Sequence, residues 1–179
     1  VIGDLAKVKG GKRLPKGKNL ISIPNSHPYI RIRDLGKSKI LELTDDYEFV
    51  DDATQSTISK YVVEKDDIVI SIVGTIGLVG VVGATLHDAN LTENCVKLTN
   101  ISEHVDRGYL YYYLISPMGQ VEISKGTVGA VQPKLPIKNI QNIKIVLPPL
   151  DVQKKVASIL SAIDDKIRVN EAINPNLWR

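Results

Sequence analysis

Two consecutive prolines, Pro148 and Pro149, divide the chain into a long first part and a short last one. Neither can donate a backbone hydrogen bond and each stiffens the backbone, so no helix or strand runs through the pair. Beyond them Val152, Val156, Ile159, Ile163 and Ile167 recur in steps of four, three, four and four, with Leu160 widening the stripe. That spacing predicts one continuous helix from Asp151 to about Ile173, with Asp151 as its N-cap and Pro175 ending it near Asn174. Such a seam suits packing against another helix. At about 1.5 Å per residue the helix would span roughly 34 Å, nearly one turn of B-DNA. We therefore expect a globular domain over residues 1–150 and a spacer or dimerisation helix over 151–179.

Within the first part, Asp67-Ile68-Val69-Ile70-Ser71-Ile72-Val73 is β-branched and almost continuously apolar, as a buried central strand should be. Gly74-Thr75-Ile76-Gly77 supplies a turn and Leu78 to Val82 a second strand, so the segment reads as a hairpin. Its glycines do not form a phosphate loop, because no Gly-Lys-Ser/Thr follows. Tyr29-Ile30-Arg31-Ile32-Arg33 alternates as a half-buried strand, with Tyr29, Arg31 and Arg33 on one face and Ile30 and Ile32 on the other. Arg107 to Lys125 has helical spacing interrupted by Pro117. Its tyrosines suit a core edge better than a base-stacking platform. Ile143 to Leu147 alternates as a short last strand. Gly10 and Gly11 permit a turn from which the neighbouring lysines would project. The expected fold class is α+β: a mixed, twisted sheet with short helices, followed by a long C-terminal helix.

Charge is distributed unevenly. Ten Lys or Arg residues lie between Lys7 and Lys39 against the single acid Asp34, and Asp45, Asp46, Glu48, Asp51 and Asp52 follow. A phosphate-facing surface would have this pattern, and so would a solvated loop.

Other classes lose support from the same reading. No apolar run approaches the roughly 20 residues that span a bilayer, and the start lacks a signal-peptide pattern. A single cysteine, Cys95, excludes a disulfide framework; in its apolar setting it reads as a small buried hydrophobe, which fits a reducing cytoplasm. His27, His87 and His104 have no metal-ligand spacing, so no metal site is expected. Asp66-Asp67 and the acidic run read as solvated charges. Asn174-Pro175-Asn176-Leu177-Trp178 only superficially resembles the Asn/Asp-Pro-Pro-aromatic motif of adenine methyltransferases.

Several linked motifs run along the chain: Gly3-Asp4-Leu5-Ala6 with Gly10-Gly11-Lys12-Arg13-Leu14-Pro15, Pro28 to Leu35, Asp66 to Ser71 with Gly74-Thr75-Ile76-Gly77, and Gly129 to Leu135. The most specific is Leu147-Pro148-Pro149-Leu150-Asp151-Val152-Gln153 continued by Ile159-Leu160-Ser161-Ala162-Ile163-Asp164. In this order they resemble the specificity (S) subunits of type I restriction-modification systems. The resemblance implies a non-catalytic target recognition domain plus one spacer helix. Each such domain reads one half of a bipartite DNA sequence, and the helices set the spacing and hold methyltransferase (M) subunits, in complexes that also carry restriction (R) subunits. No cofactor is expected on this chain; S-adenosylmethionine belongs to the M partners. Family members usually carry two recognition domains and two helical regions, whereas one of each is present here. A fragment, a truncated product or a half-subunit that pairs with itself would each account for that.

If the chain reads double-stranded DNA, Lys12, Lys16 and Lys18 suit phosphate contacts, and Arg13, Arg31 and Arg33 suit guanine edges. Gln132 suits adenine, and Thr75, Thr127 and Lys134 complete the candidate DNA-binding set. Val152, Val156, Ile159, Ile163 and Ile167 form the candidate helix interface, for a homodimer among other partners. Two further classes stay open: a helical assembly module that binds no DNA, and an enzyme acting on a small molecule.

Overall fold

The computed structural model describes residues 1–173. Its strands, in chain order, are β1 (Lys7–Gly10), β2 (Pro28–Ile30), β3 (Ile40–Leu41), β4 (Glu48–Phe49), β5 (Ile68–Ser71), β6 (Val79–Val82), β7 (Asn90–Leu91) and β8 (Cys95–Thr99). Its helices are α1 (Ile2–Leu5), α2 (Asp52–Ile58), α3 (Arg107–Ile115), α4 (Pro117–Gly126), α5 (Ile137–Gln141) and α6 (Leu150–Ile173). The expected α+β class with mixed sheets and a long last helix is the one observed. What the sequence did not reveal is that there are two sheets, ordered β1-β8-β5-β6-β3 and β4-β2-β7.

The apolar segment at 67–73 is the centre of the larger sheet, as its composition predicts. All four residues of β5 are inaccessible to solvent, with β8 and β6 antiparallel on either side. Alternation then sends side chains two ways. Ile68 and Ile70, with Val79, Val81, Val96 and Leu98, pack on Leu110, Leu114, Ile123 and Ile140 of the helices. Val69, Val82 and Cys95 pack on Ile30, Phe49 and Leu91 of the smaller sheet. The molecule therefore has three layers: helices, large sheet, small sheet. Cys95 is the small buried hydrophobe expected, its thiol pushed up to about 12 by burial. The β5–β6 turn takes left-handed backbone at Gly74 and Gly77, with φ of 73° and 87°.

Local expectations failed where side chains supply partners that the sequence pattern does not encode. The strand over Tyr29–Arg33 stops at Ile30, and Ile32–Asp34 is a 3₁₀ turn. Asp34 carboxylate accepts from the Arg31 amide at 2.7 Å, which folds the chain there instead of extending it. Ile143–Leu147 is extended but pairs with no strand. Its carbonyls are taken one by one: Ile143 by the Ile2 amide (3.0 Å), Lys144 by the Tyr113 hydroxyl (3.2 Å) and Val146 by the Tyr109 hydroxyl (2.8 Å). The tyrosines are thus core-edge residues, as expected, and their hydroxyls replace a missing sheet neighbour. Gly11 makes no left-handed turn; a Cβ there would lie 2.1 Å from the Thr92 carbonyl oxygen, so the residue is small because two backbones touch. Asp51 and Asp67 are not solvated spectators either. Asp51 N-caps α2, and the Thr54 amide it accepts (2.6 Å) holds its carboxyl below the usual range. Asp67 is buried against Lys97 at 3.0 Å.

Helices α3 and α4 are separated at Pro117 as the pattern requires, with Ser116 capping the second through the Gly119 amide. Helix α6 starts at Leu150: the Pro149 carbonyl accepts from Val152 and Gln153, so Pro149 is the cap and Asp151 sits in the first turn. Pro175 and the motif at 174–178 lie outside the described residues. The helix packs on α3 through a face of mostly small and polar side chains, among them Gln153, Ala157, Ser161 and Asp164. Gly108 lets the two helices approach, since a Cβ there would come within 3.1 Å of the Ala157 Cβ. Tyr112 hydroxyl donates to Asp164 at 2.7 Å, and Lys39 reaches Ser161 at 2.6 Å. Buried Gln153 accepts from the Asp106 amide (3.0 Å) and donates to the His104 and Pro148 carbonyls (3.1 and 2.8 Å). Gln153→Leu keeps the volume roughly but leaves three backbone groups without partners. Urea unfolding should show a loss of about 2–4 kcal/mol; an unchanged midpoint would mean that this docking does not hold the helix.

Candidate nucleic-acid interface

The candidate DNA-binding residues are scattered over more than a hundred positions of sequence, and the large sheet gathers most of them at one end. Arg13 Nε donates to Glu93 at 2.7 Å, which ties the segment after β1 to the β7–β8 turn. The next residue, Asn94, accepts from the Ile72 amide at 2.8 Å, and the Ile72 carbonyl accepts from Leu135 at 2.9 Å. Val73 pairs with Lys134, and Lys134 exchanges two backbone hydrogen bonds with Val128, both 2.9 Å. A Cβ at Gly74 would meet Ile32 at 3.5 Å, so the 31–34 turn borders the same rim. Thr75, Thr127, Gln132, Lys134, Arg13 and the Arg31–Arg33 turn therefore share one edge. Gln132, Lys134 and Thr75 are exposed there, and Val131 at the tip of the 128–134 hairpin is 94% exposed. Thr127 is tied down, its hydroxyl donating to the Ile123 carbonyl at 3.0 Å.

Lys16 and Lys18 are not on that rim. Lys18 reaches Asp51 at 3.1 Å, and the loop around them is anchored by Leu14 and Leu20 on the Tyr29–Val50–Ile58 cluster. Lys12 turns toward Tyr61, its ammonium 5.4 Å from the ring centre.

The uneven charge distribution in the sequence is partly cancelled in space. The acidic run folds over the arginines: Arg31 pairs with Glu48, and Arg33 donates to the Asp46 carbonyl (2.8 Å) and lies 3.4 Å from Glu48. Arg31 is mostly buried, and its Nε and one Nη have no hydrogen-bond partner. Arg33 and Arg13 keep more than half of their side chains open to solvent, at 55% and 80%. The candidate helix interface lies outside the contact with α3. Val152, Val156, Ile159, Ile163 and Ile167 stay 38%, 36%, 63%, 52% and 50% exposed, on the side away from α3. Among the described residues no three His, Cys, Asp or Glu side chains gather as a metal site, and no helix is long and apolar enough to cross a membrane.

A three-layer α+β domain with its loops collected at one sheet end and a helix leading away from it is a fold seen in type I restriction specificity subunits. Over residues 1–178 the sequence matches the family described as the type I restriction modification DNA specificity domain, and the chain belongs to that family. It is 30% identical over 147 residues to the specificity subunit of the type I restriction enzyme MjaVIII of Methanocaldococcus jannaschii, covering 78% of this chain and 33% of that protein. It is 34% identical over 108 residues to the putative MjaX specificity subunit of the same organism, covering 60% of this chain and 24% of the relative. The HsdS subunit from Thermoanaerobacter tengcongensis has the same fold, with a TM-score of 0.67 at 20% identity over 96% of this chain and 38% of that one. A type I restriction-modification structure solved for complex assembly superposes with a TM-score of 0.70, at 20% identity, over 98% of this chain and 40% of the other. The chain thus spans a quarter to two fifths of the length of these proteins.

Asp34, which organises the arginine turn, is itself testable. Burial pushes its carboxyl from 3.8 up to about 6, against the pull of Arg33 and Lys37. A raised carboxyl stabilises the fold fully below about pH 4, where both states are protonated, and that contribution is lost as pH rises through 6. The stability of Asp34→Asn relative to the parent should therefore climb by up to about 3 kcal/mol between pH 4 and 6 and then level off. Parallel pH profiles in urea melts would show instead that folding leaves the Asp34 carboxyl at its ordinary value.

Proposed function

We propose that this chain is the DNA-reading part of a type I restriction-modification specificity subunit and recognises one half of a bipartite site. The observation that carries this reading is the convergence of five sequence-distant stretches on one sheet end, with exposed Arg13, Arg33, Thr75, Gln132 and Lys134 along it. Side chains on short, hydrogen-bonded turns hold their positions, as direct readout of base edges requires. Arg33 and Gln132 have the donor geometry for guanine and adenine. Lys134, Thr75 and Thr127 flank them for phosphate or methyl contacts, with Lys12, Lys16 and Lys18 following the backbone further out. Arg31, committed to Glu48, holds the turn that presents Arg33. In this reading the chain supplies no catalytic group and binds no cofactor. Methylation and cleavage belong to M and R subunits, S-adenosylmethionine to the former, and the complex works in the cytoplasm. Residues 1–150 read DNA and 151–179 serve as spacer.

Selection from random duplexes tests the reading directly. The parent should enrich one short sequence, and Gln132→Ala with Lys134→Ala should lose discrimination against a scrambled duplex on the order of tenfold or more. A parent that enriches nothing would sink the proposal.

The exposed stripe on α6 favours an assembly role beside the reading role. An apolar row of this length is costly in water, and a second spacer helix packed antiparallel would cover it; in this chain alone, a second copy supplies that helix. Light scattering should give a dimeric mass at micromolar concentration. Ile159→Asp with Ile163→Asp should return it to monomer with the domain still folded, because both positions face away from α3. A monomeric parent would refute the pairing.

A further inference from the structure

One basic feature lies outside the candidate set. In the β1–β8 ladder Lys9 stands directly opposite Lys97, an arrangement of like charges that weakens a sheet. Lys97 is buried and neutralised by Asp67 at 3.0 Å, but Lys9 has no acidic partner among the described residues. Between this edge of the sheet and the turn Ser59–Tyr61 lies a pocket of about 240 Å³. Lys9, Lys60, Lys97 and Tyr61 line it, with Val62 and Leu91 as its apolar wall, and no acid contributes to the lining. Lys12 adds a fourth ammonium from above, over the Tyr61 ring. Three elements distant in sequence thus bring four lysines around one opening, and the acid that pairs with one of them, Asp67, is already used by Lys97.

The geometry points to an anion site here, sized and charged for a phosphate group, with Lys9 and Lys60 as its direct ligands and Lys12 and Tyr61 at its mouth. Asp67 neutralises Lys97 but leaves Lys9 and Lys60 without an acidic partner among the described residues, and a bound phosphate supplies one. Lys9 to Arg13 leads from this pocket to the rim described above, through the Lys12 amide bonded to the Leu91 carbonyl (2.8 Å) and Arg13 bonded to Glu93. A DNA strand lying along the rim would therefore place a backbone phosphate at the pocket. That source of the phosphate rests on the DNA-reading proposal; the anion site itself does not.

The experiment uses the full chain in two arms. In the first, binding of a short mixed-sequence duplex is measured against salt for the parent and for Lys9→Gln with Lys60→Gln. Both substituted residues are exposed, and Lys97 is left alone because its removal would strand the buried Asp67. The double variant should bind unrelated sequences equally more weakly, and its slope of log K against log salt should flatten by about 0.9 for each phosphate that is no longer neutralised. In the second arm, inorganic phosphate is titrated into the unaltered chain, with chloride at matched ionic strength as the control. The amide signals of Lys9, Lys60 and Tyr61 should move saturably with phosphate and not with chloride. If the parent binds DNA, the variant keeps its affinity and slope, and phosphate moves nothing, the pocket is not a site and the DNA reading survives. If phosphate saturates those signals but no DNA binds, the anion site stands with free phosphate as its source, and the DNA reading falls. Silence in both arms overturns both.

Discussion

The strand Ile68–Ser71 has no face that water reaches, and the arrangement of the other elements follows from covering it. A strand apolar on both sides requires a layer above and a layer below. The helices α1, α3, α4 and α5 supply one, and the small sheet β4-β2-β7 supplies the other. Ser71 marks where the apolar run ends. Its hydroxyl, fully buried, donates to the Thr75 carbonyl at 2.6 Å and accepts from the Leu78 amide at 2.9 Å. The core strand thereby fixes the conformation of the hairpin loop that borders the candidate interface. Rigidity in the core and position at the rim are one continuous set of bonds.

Electrostatics in this molecule works by pairing remote segments. The basic start and the acidic run that follows are drawn together, Arg31 and Arg33 to Glu48 and Lys18 to Asp51. Exposed pairs of this kind contribute little to stability, but they decide which cations remain free. After pairing, Lys9, Lys12, Lys60 and Lys134 are among the exposed lysines without an acidic partner among the described residues, and they lie at the end of the sheet or beside its first strand. The net charge of +3 says far less about a partner than that residual pattern does.

The helix α6 divides its surface by chemistry. The face on α3 is built from Ala157, Ser161, Asp164 and Gln153 against Gly108, where hydrogen bonds fix register and small side chains allow close approach. Beside that contact Val152, Val156, Ile159, Ile163 and Ile167 lie open to solvent, and Lys154, Lys155, Asp165 and Lys166 are exposed further round the helix. An ordinary surface helix buries its apolar stripe. The open row is the physical basis for proposing a second helix as its partner.

Hydrophobic period and backbone chemistry are local properties, so the sequence by itself determined the central hairpin, the break at Pro117, the helix after the proline pair and the α+β class. It also singled out the stripe Val152 to Ile167 by spacing alone. The tertiary structure decided whatever depended on a partner distant in the chain. Alternation could not foresee that Asp34 would fold Arg31 and Arg33 out of a strand, or that Tyr109 and Tyr113 would take the carbonyls of the last extended segment. Charge counting could not separate Lys134 from Lys18, because a cation's availability depends on which acid the fold sets beside it. Nor could it find Lys9 opposite Lys97, since ladder register exists only once strands from different parts of the chain have paired. A side chain's type is written in the sequence; its accessibility and its neighbours are set by long-range packing.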